Sequence, residues 1–166
     1  MAFEAPQPVD KHAALRASVL LREFTDVGIR IIAEAVQQKS VGRETYAFRG
    51  GDPSDALYFL AKGTLQLFPR DGGAVLGELT GGDTLGGIAL LGAGGEHLLS
   101  AMAVNDVELL ELTREAFEQI RKKAPRTALK LTLALAQDLA DRLREAKGPL
   151  REFLVWQISK RQAEGR

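Results

Sequence analysis

The stretch Phe48-Arg49-Gly50-Gly51-Asp52-Pro53-Ser54-Asp55-Ala56-Leu57-Tyr58-Phe59-Leu60-Ala61-Lys62-Gly63-Thr64-Leu65 decides the fold of this 166-residue chain. It begins with turn formers and then runs apolar from Ala56 to Leu60. It breaks at Gly63 and resumes apolar at Leu65. A glycine between two short apolar runs marks a tight turn that needs positive φ, so the pair is expected to be consecutive strands.

The same pattern continues in both directions. Glycines are dense from Val41 to Leu112, and short apolar or alternating runs lie between them, at 45–48, 56–60, 64–68, 75–79, 98–104 and 107–112. Short strands at regular intervals, punctuated by turn residues, predict an all-β barrel or jelly roll for this region. Arg70-Asp71-Gly72-Gly73 is a hairpin turn, since Asp-Gly supplies the positive φ angles it needs.

The flanks read as helical. Residues 11–23 carry Ala14, Leu15, Val19 and Leu20 near helical spacing, and 26–38 place Val27, Ile31, Ile32, Ala35 and Val36 on one face. After Thr113, Glu115 and Glu118 sit where acids favour a helix start, giving a helix over 114–122. Pro125 opens a longer helix to about Ala146, closed by Gly148-Pro149. The expected segments are a helical 1–40, a β-region 41–113, a helix pair 114–147 and an amphipathic tail 148–166.

The long helix has two apolar stripes. Leu129, Leu133, Ala136, Ala140 and Leu143 follow alternating steps of four and three, as in a coiled-coil seam. Leu131, Leu135 and Leu139 form the other. Either both wrap into one core, or one packs on the β-region and the first stripe is a homodimer seam. The second reading is preferred, because a short β-region has little surface to cover both. The tail, with Leu150, Phe153, Leu154, Trp156 and Ile158, either packs back or docks on another protein.

Composition excludes several function classes. There is no cysteine, which removes disulfides, thiolate metal sites and cysteine nucleophiles. His12 and His97 are the two histidines, too few for a histidine metal site, so no metal and no cofactor are expected. Catalytic residues are expected to be none: Ser100 and Thr113 have no nearby base, and no Gly-x-Ser-x-Gly elbow is present. Net charge is zero, so no global field draws the chain to nucleic acid. The charge is nonetheless split, net −6 over residues 1–113 and +6 over 114–166. The basic helical surface (Arg114, Arg121, Lys122, Lys123, Arg126, Lys130) reads as a solvated face, with docking to an acidic partner as the functional version. No apolar run reaches the ~18 residues of a membrane span, and the N-terminus lacks signal-peptide order, so a cytoplasmic protein without membrane insertion is expected.

The order of elements resembles the cyclic nucleotide-binding domain family, over roughly residues 15–147. Gly51, Asp52, Asp55, Leu57, Tyr58 and Gly63 match its first signature. Leu79-Thr80-Gly81-Gly82-Asp83-Thr84-Leu85-Gly86 with Ala89-Leu90-Leu91 matches the second, and Ser100-Ala101 with Leu109-Leu110-Glu111-Leu112 the third. The resemblance implies an α+β, mainly β fold: an eight-stranded jelly-roll-like β-roll flanked by N-terminal helices and a long C-terminal helix. It also places a ligand site at Gly86, Gly87, Ile88, Ala89, Leu99, Ser100 and Ala101.

At that site the chain departs from the family. The family sets a Glu for the ribose hydroxyl after the Leu-Gly dipeptide, and an Arg for the phosphate before the Ser-Ala pair. Here the Glu position is Gly87; the Arg position falls on Leu99 when anchored on Ser100-Ala101, or near Glu96 or His97 when counted from Gly87, and no Lys or Arg occurs between Arg70 and Arg114. His97 is the one other group there able to carry positive charge. Losing the partner of a buried charge costs ~3–5 kcal/mol, about 10²–10⁴ in affinity. Cyclic AMP and cyclic GMP binding is therefore expected to be lost. Gly92-Ala93-Gly94-Gly95-Glu96-His97 reads as a flexible insertion, and Leu98 and Leu99 as hydrocarbon filling the phosphate position.

The resulting expectation is a non-enzymatic regulatory or scaffolding protein acting through protein contacts as a homodimer. No helix-turn-helix motif follows the long helix, so no specific nucleic-acid partner is expected. The alternative is a sensor of an altered nucleotide or uncharged ligand in the same pocket, with Trp156 as lid. An open pocket near 86–89 favours that alternative; inward Leu98 and Leu99 disfavour it.

Overall fold

Gly63 turns the chain between two strands with φ 92°, where a β-carbon would lie 2.6 Å from the Asp106 carbonyl oxygen. Only glycine fits. The strands it joins are β3 (Ala56–Lys62) and β4 (Thr64–Pro69), as the sequence predicts. The computed structural model describes residues 8–92 and 94–145.

The other elements are α1 (Lys11–Arg16), a 3-10 turn (Val19–Leu21), α2 (Asp26–Ala35), β1 (Gln37–Val41) and β2 (Tyr46–Phe48). After β4 come β5 (Gly77–Thr80), β6 (Thr84–Leu85), α3 (Gly87–Leu91), β7 (Leu99–Ala103), β8 (Val107–Thr113), α4 (Arg114–Lys123) and α5 (Pro125–Glu145). The eight strands form two antiparallel four-stranded sheets, ordered β1-β8-β3-β6 and β2-β7-β4-β5.

Strand β3 is buried on both faces, which is why it reads as a continuous apolar run. Leu57 and Phe59 point toward the helices, where they join Leu110 and Leu112 of β8 and Leu15, Ile32, Phe117 and Leu131. Ala56, Tyr58 and Leu60 point into the roll, against Leu65, Ala101, Ala103 and Leu109. The period-two alternation of one strand thus separates two cores, one between the sheets and one between sheet and helices.

Helix starts follow local chemistry. Asp10 caps α1 by accepting from the Ala13 N–H at 3.0 Å, and Thr113 caps α4 by accepting from Ala116 N–H at 3.1 Å. Pro125 opens α5, where its missing N–H costs nothing. The turn at 70–73 joins β4 to β5, and Gly72 N–H donates to the Pro69 carbonyl at 3.1 Å.

Four expectations about elements are corrected. The helix expected over 26–38 ends at Ala35, and Gln37 begins β1; Val27 is exposed, while Ile29 and Ile32 carry the buried face. The helix expected over 11–23 breaks at Ser18, which is buried in extended backbone, so Val19 faces solvent. Strand β5 starts at Gly77, leaving Val75 and Leu76 exposed. A two-residue strand, β6, follows Gly81-Gly82-Asp83 and pairs with Tyr58 and Phe59, outside the six runs read as strands. The expected tail at 148–166, with Gly148-Pro149 and Trp156, lies outside the described residues.

Candidate functional site

The segment after β6 sets the floor of a cleft. Gly86 has φ 81°, and a β-carbon there would lie 2.4 Å from the Ala56 carbonyl oxygen, so only glycine can pass this close to β3. Helix α3 then starts at Gly87, and Ala89 and Leu90 are buried. A β-carbon at Gly87 would lie 2.8 Å from Leu135 Cδ2. The position expected to have lost a ribose-binding Glu is therefore where α5 touches α3.

Between this segment, the β4–β5 face and α5 lies an open cleft of about 470 Å³. Of the expected site residues, Gly86, Gly87, Ile88, Ala89 and Leu99 line it. Ser100 and Ala101 do not. Ser100 is buried and its Oγ accepts from Gly50 N–H at 2.8 Å, and Ala101 is in the inter-sheet core opposite Leu67. Leu98 and Leu99 also line the cleft, but they do not plug it: Leu98 is 71% exposed and Leu99 half-buried. The expectation that they fill the site is corrected, because the 94–98 segment runs along the mouth.

That segment is also better anchored than expected. Gly51 N–H donates to the His97 carbonyl, His97 N–H to the Asp52 carbonyl and Ser54 N–H to the Gly95 carbonyl, each at 2.8 Å. Arg70 pairs with Glu96 at 2.6 Å. Its described part is tied to the 51–54 loop, which corrects the reading of a flexible insertion.

His97 lies in this loop, yet its ring is only 6% exposed. It stacks on Phe48 at 3.8 Å between centroids and 9° between planes, with Tyr58 at 6.4 Å. Burial pushes its pKa below the usual 6.5; Lys39 adds to this, while Asp52 and Asp55 oppose it. Burial thus disfavours the charged imidazolium, which weighs against His97 as the cation for a phosphate. Burial first, and then the neighbouring Glu111, hold the Tyr58 phenol protonated far above its usual range.

Among the described residues, the arginines nearest the cleft, Arg70, Arg114 and Arg142, each have a partner. Among its described lining residues the one guanidinium is Arg142, paired with Asp138 at 2.8 Å. Arg114, the next cation after Arg70 in sequence, donates to the carbonyls of Ala89 and Gly92. It caps the carboxyl end of α3, the end that attracts positive charge, and not the end that would face an anion. No group of three or more metal-ligating side chains occurs among the described residues, and no described helix is long and apolar enough to cross a membrane.

Sequence reasoning missed Leu67 and Leu79, which line the cleft from β4 and β5, and Leu135, Asp138, Leu139 and Arg142 of α5. Alternation along β4 and β5 signals the first pair. Nothing local signals the α5 residues, since their role depends on which helix face docks.

Comparison with known proteins places this geometry. The model for the cyclic nucleotide-binding domain matches residues 38–124. The cyclic AMP receptor protein of Thermus thermophilus is 39% identical over 102 residues, covering 60% of this chain and 45% of that protein. Glutaminase 1 of Bradyrhizobium diazoefficiens is 39% identical over 95 residues, 56% of this chain and 15% of that one. The chain thus spans less than half the length of both curated relatives. The crystal structure of the Thermus thermophilus catabolite activator protein superposes with TM-score 0.69 and 32% identity, over 82% of this chain and 62% of that one.

Proposed function

Because this chain belongs to the cyclic nucleotide-binding domain family, and the one guanidinium among the described residues lining its cleft is already paired with a carboxylate, we propose that it is a non-enzymatic regulatory or scaffolding module that does not bind cyclic AMP or cyclic GMP. The observation that carries this reading is the pairing of Arg142 with Asp138 beside a leucine at the expected phosphate contact. Among the described lining residues, a cyclic phosphate meets two carboxylates, Glu96 and Asp138, and one guanidinium, Arg142, already paired with the second. Desolvating an anion without a partner is prohibitive.

In this reading the output is protein contact. The stripe of Leu129, Leu133, Ala136, Ala140 and Leu143 is the contact surface, first with a second copy of the chain. The α4–α5 junction at Ala124 and Pro125 is the hinge, between a roll over 41–113 and a helix pair over 114–147. The module works in the cytoplasm, without specific nucleic-acid contact and without membrane insertion.

Calorimetric titration with cyclic AMP and cyclic GMP, to millimolar ligand at low salt, tests the proposal. No heat and no thermal shift are expected; micromolar binding of either overturns it.

A second reading has its own support. The cleft near 86–89 is open, which favours a small-molecule sensor whose input occupies the cleft while α5 carries the output.

A further inference from the structure

We propose that the cleft beneath α5 takes an uncharged, largely apolar small molecule. The proposal rests on the second reading above, that the cleft is a ligand site, and adds the chemical class. A volume of about 470 Å³ is within the range of small-molecule sites. Its walls are leucines from both sides: Leu67, Leu79, Leu98 and Leu99 from the roll, Leu135 and Leu139 from α5. At the mouth, Ile88 and Leu98 are held exposed, so a bound apolar body removes them from water along with its own surface.

Charge selects against an anion. Two carboxylates, Asp138 and Glu96, line the cleft, and each is already paired, with Arg142 at 2.8 Å and Arg70 at 2.6 Å. An anionic ligand must compete with a carboxylate for either guanidinium, and a cationic ligand must compete with a guanidinium for either carboxylate. A neutral ligand leaves both intact. The Thr84 hydroxyl, on a buried side chain of the lining, offers one polar anchor.

Two probes that share one skeleton test the class. N-phenyl-1-naphthylamine is neutral, and 8-anilino-1-naphthalenesulfonate adds a sulfonate. In fluorescence titrations of the full chain the neutral probe is expected to bind at least ~10-fold more tightly, since among the described lining residues the sulfonate must share a guanidinium with Asp138. Leu99→Arg is expected to close or invert that gap by placing a guanidinium at the mouth. Ile88→Glu, a substitution at an exposed site that leaves the core intact, is expected to weaken the neutral probe by ~10-fold. Equal or tighter binding of the sulfonate by the unaltered chain overturns the class but keeps the cleft as a ligand site. Failure of both probes overturns the class and the sensor reading together. Neutral-probe binding unmoved by both substitutions puts the probe elsewhere and also overturns the proposal.

Discussion

Along α5, leucines two residues apart in sequence meet opposite fates. Leu131 and Leu135 are 0% and 2% exposed, packed on Leu57, Leu110 and Phe117 of the helix-side core. Leu129 and Leu133 are each 60% exposed, and Leu143 is 53% exposed. Residue type is the same on both faces, so hydrophobicity alone did not choose between them. The choice follows from what each face meets. Gly87 leaves room for Leu135, and on the neighbouring side the Lys130 ammonium reaches over the Phe24 ring at 5.3 Å.

The largest expected effect sharpens this contrast. Leu131→Ala is expected to cost ~2–5 kcal/mol, the range for emptying a well-packed leucine site. Leu129→Ala should change stability by no more than ~0.5 kcal/mol. Urea denaturation of the two variants checks this, and equal losses break the two-face description.

Next comes the contact that holds the buried face down. Gly87→Glu restores the residue type the family uses, but its β-carbon lands 2.8 Å from Leu135 Cδ2. Overpacking is expected to cost ~1–3 kcal/mol and to speed amide exchange along α5. Leu135→Ala in the same chain should relieve part of the crowding, and exchange rates unchanged by Gly87→Glu would remove this contact from the account of α5 docking.

A local effect of about 1 kcal/mol is expected from Thr113→Ala, which removes the cap between β8 and α4. The thermal midpoint reads it, and Thr113→Ser should retain most of the stability.

Smaller still is a pH effect from the other end of the cleft. Burial holds the folded pKa of His97 below the unfolded value of about 6.5. The unfolded chain therefore binds the proton first. Stability is full above 6.5 and falls as pH drops through 6.5 toward the depressed folded value. His97→Gln should flatten that part of the stability profile in denaturation curves from pH 7.5 to 5.

The smallest effect on stability falls on the exposed stripe. Leu133→Glu is expected to shift stability by no more than ~0.5 kcal/mol, yet to dissociate the proposed homodimer. Sedimentation of both forms across a concentration series decides it; identical sedimentation of the two removes the seam.

Much of the roll was legible because its requirements are local. Gly63 and Gly86 are needed by the backbone where they stand, and the run from Ala56 to Leu60 is buried on both faces. Strand β1 was not legible. It is an edge strand paired only with β8, and Val41 is its one buried residue, so no alternation marks it. The 11–23 segment misled because Ser18 is an extended break with no proline or glycine to announce it. In the cleft, Gly86 to Ala89 and Leu99 could be placed from motif order, while the α5 side of the wall could not.

The sequence by itself determined the order of strands β2 to β5, β7 and β8, the helix start at Thr113, and the lack of any Lys or Arg between Arg70 and Arg114. Each depends on a residue and its near neighbours. Only the tertiary structure decided that Leu135 rests on Gly87, that the His97 ring lies against Phe48, and that Leu98 borders an open cleft instead of closing it. Those outcomes depend on the packing of segments far apart in the chain, where apolar surface is covered by whichever partner the assembled sheets and helices bring within reach.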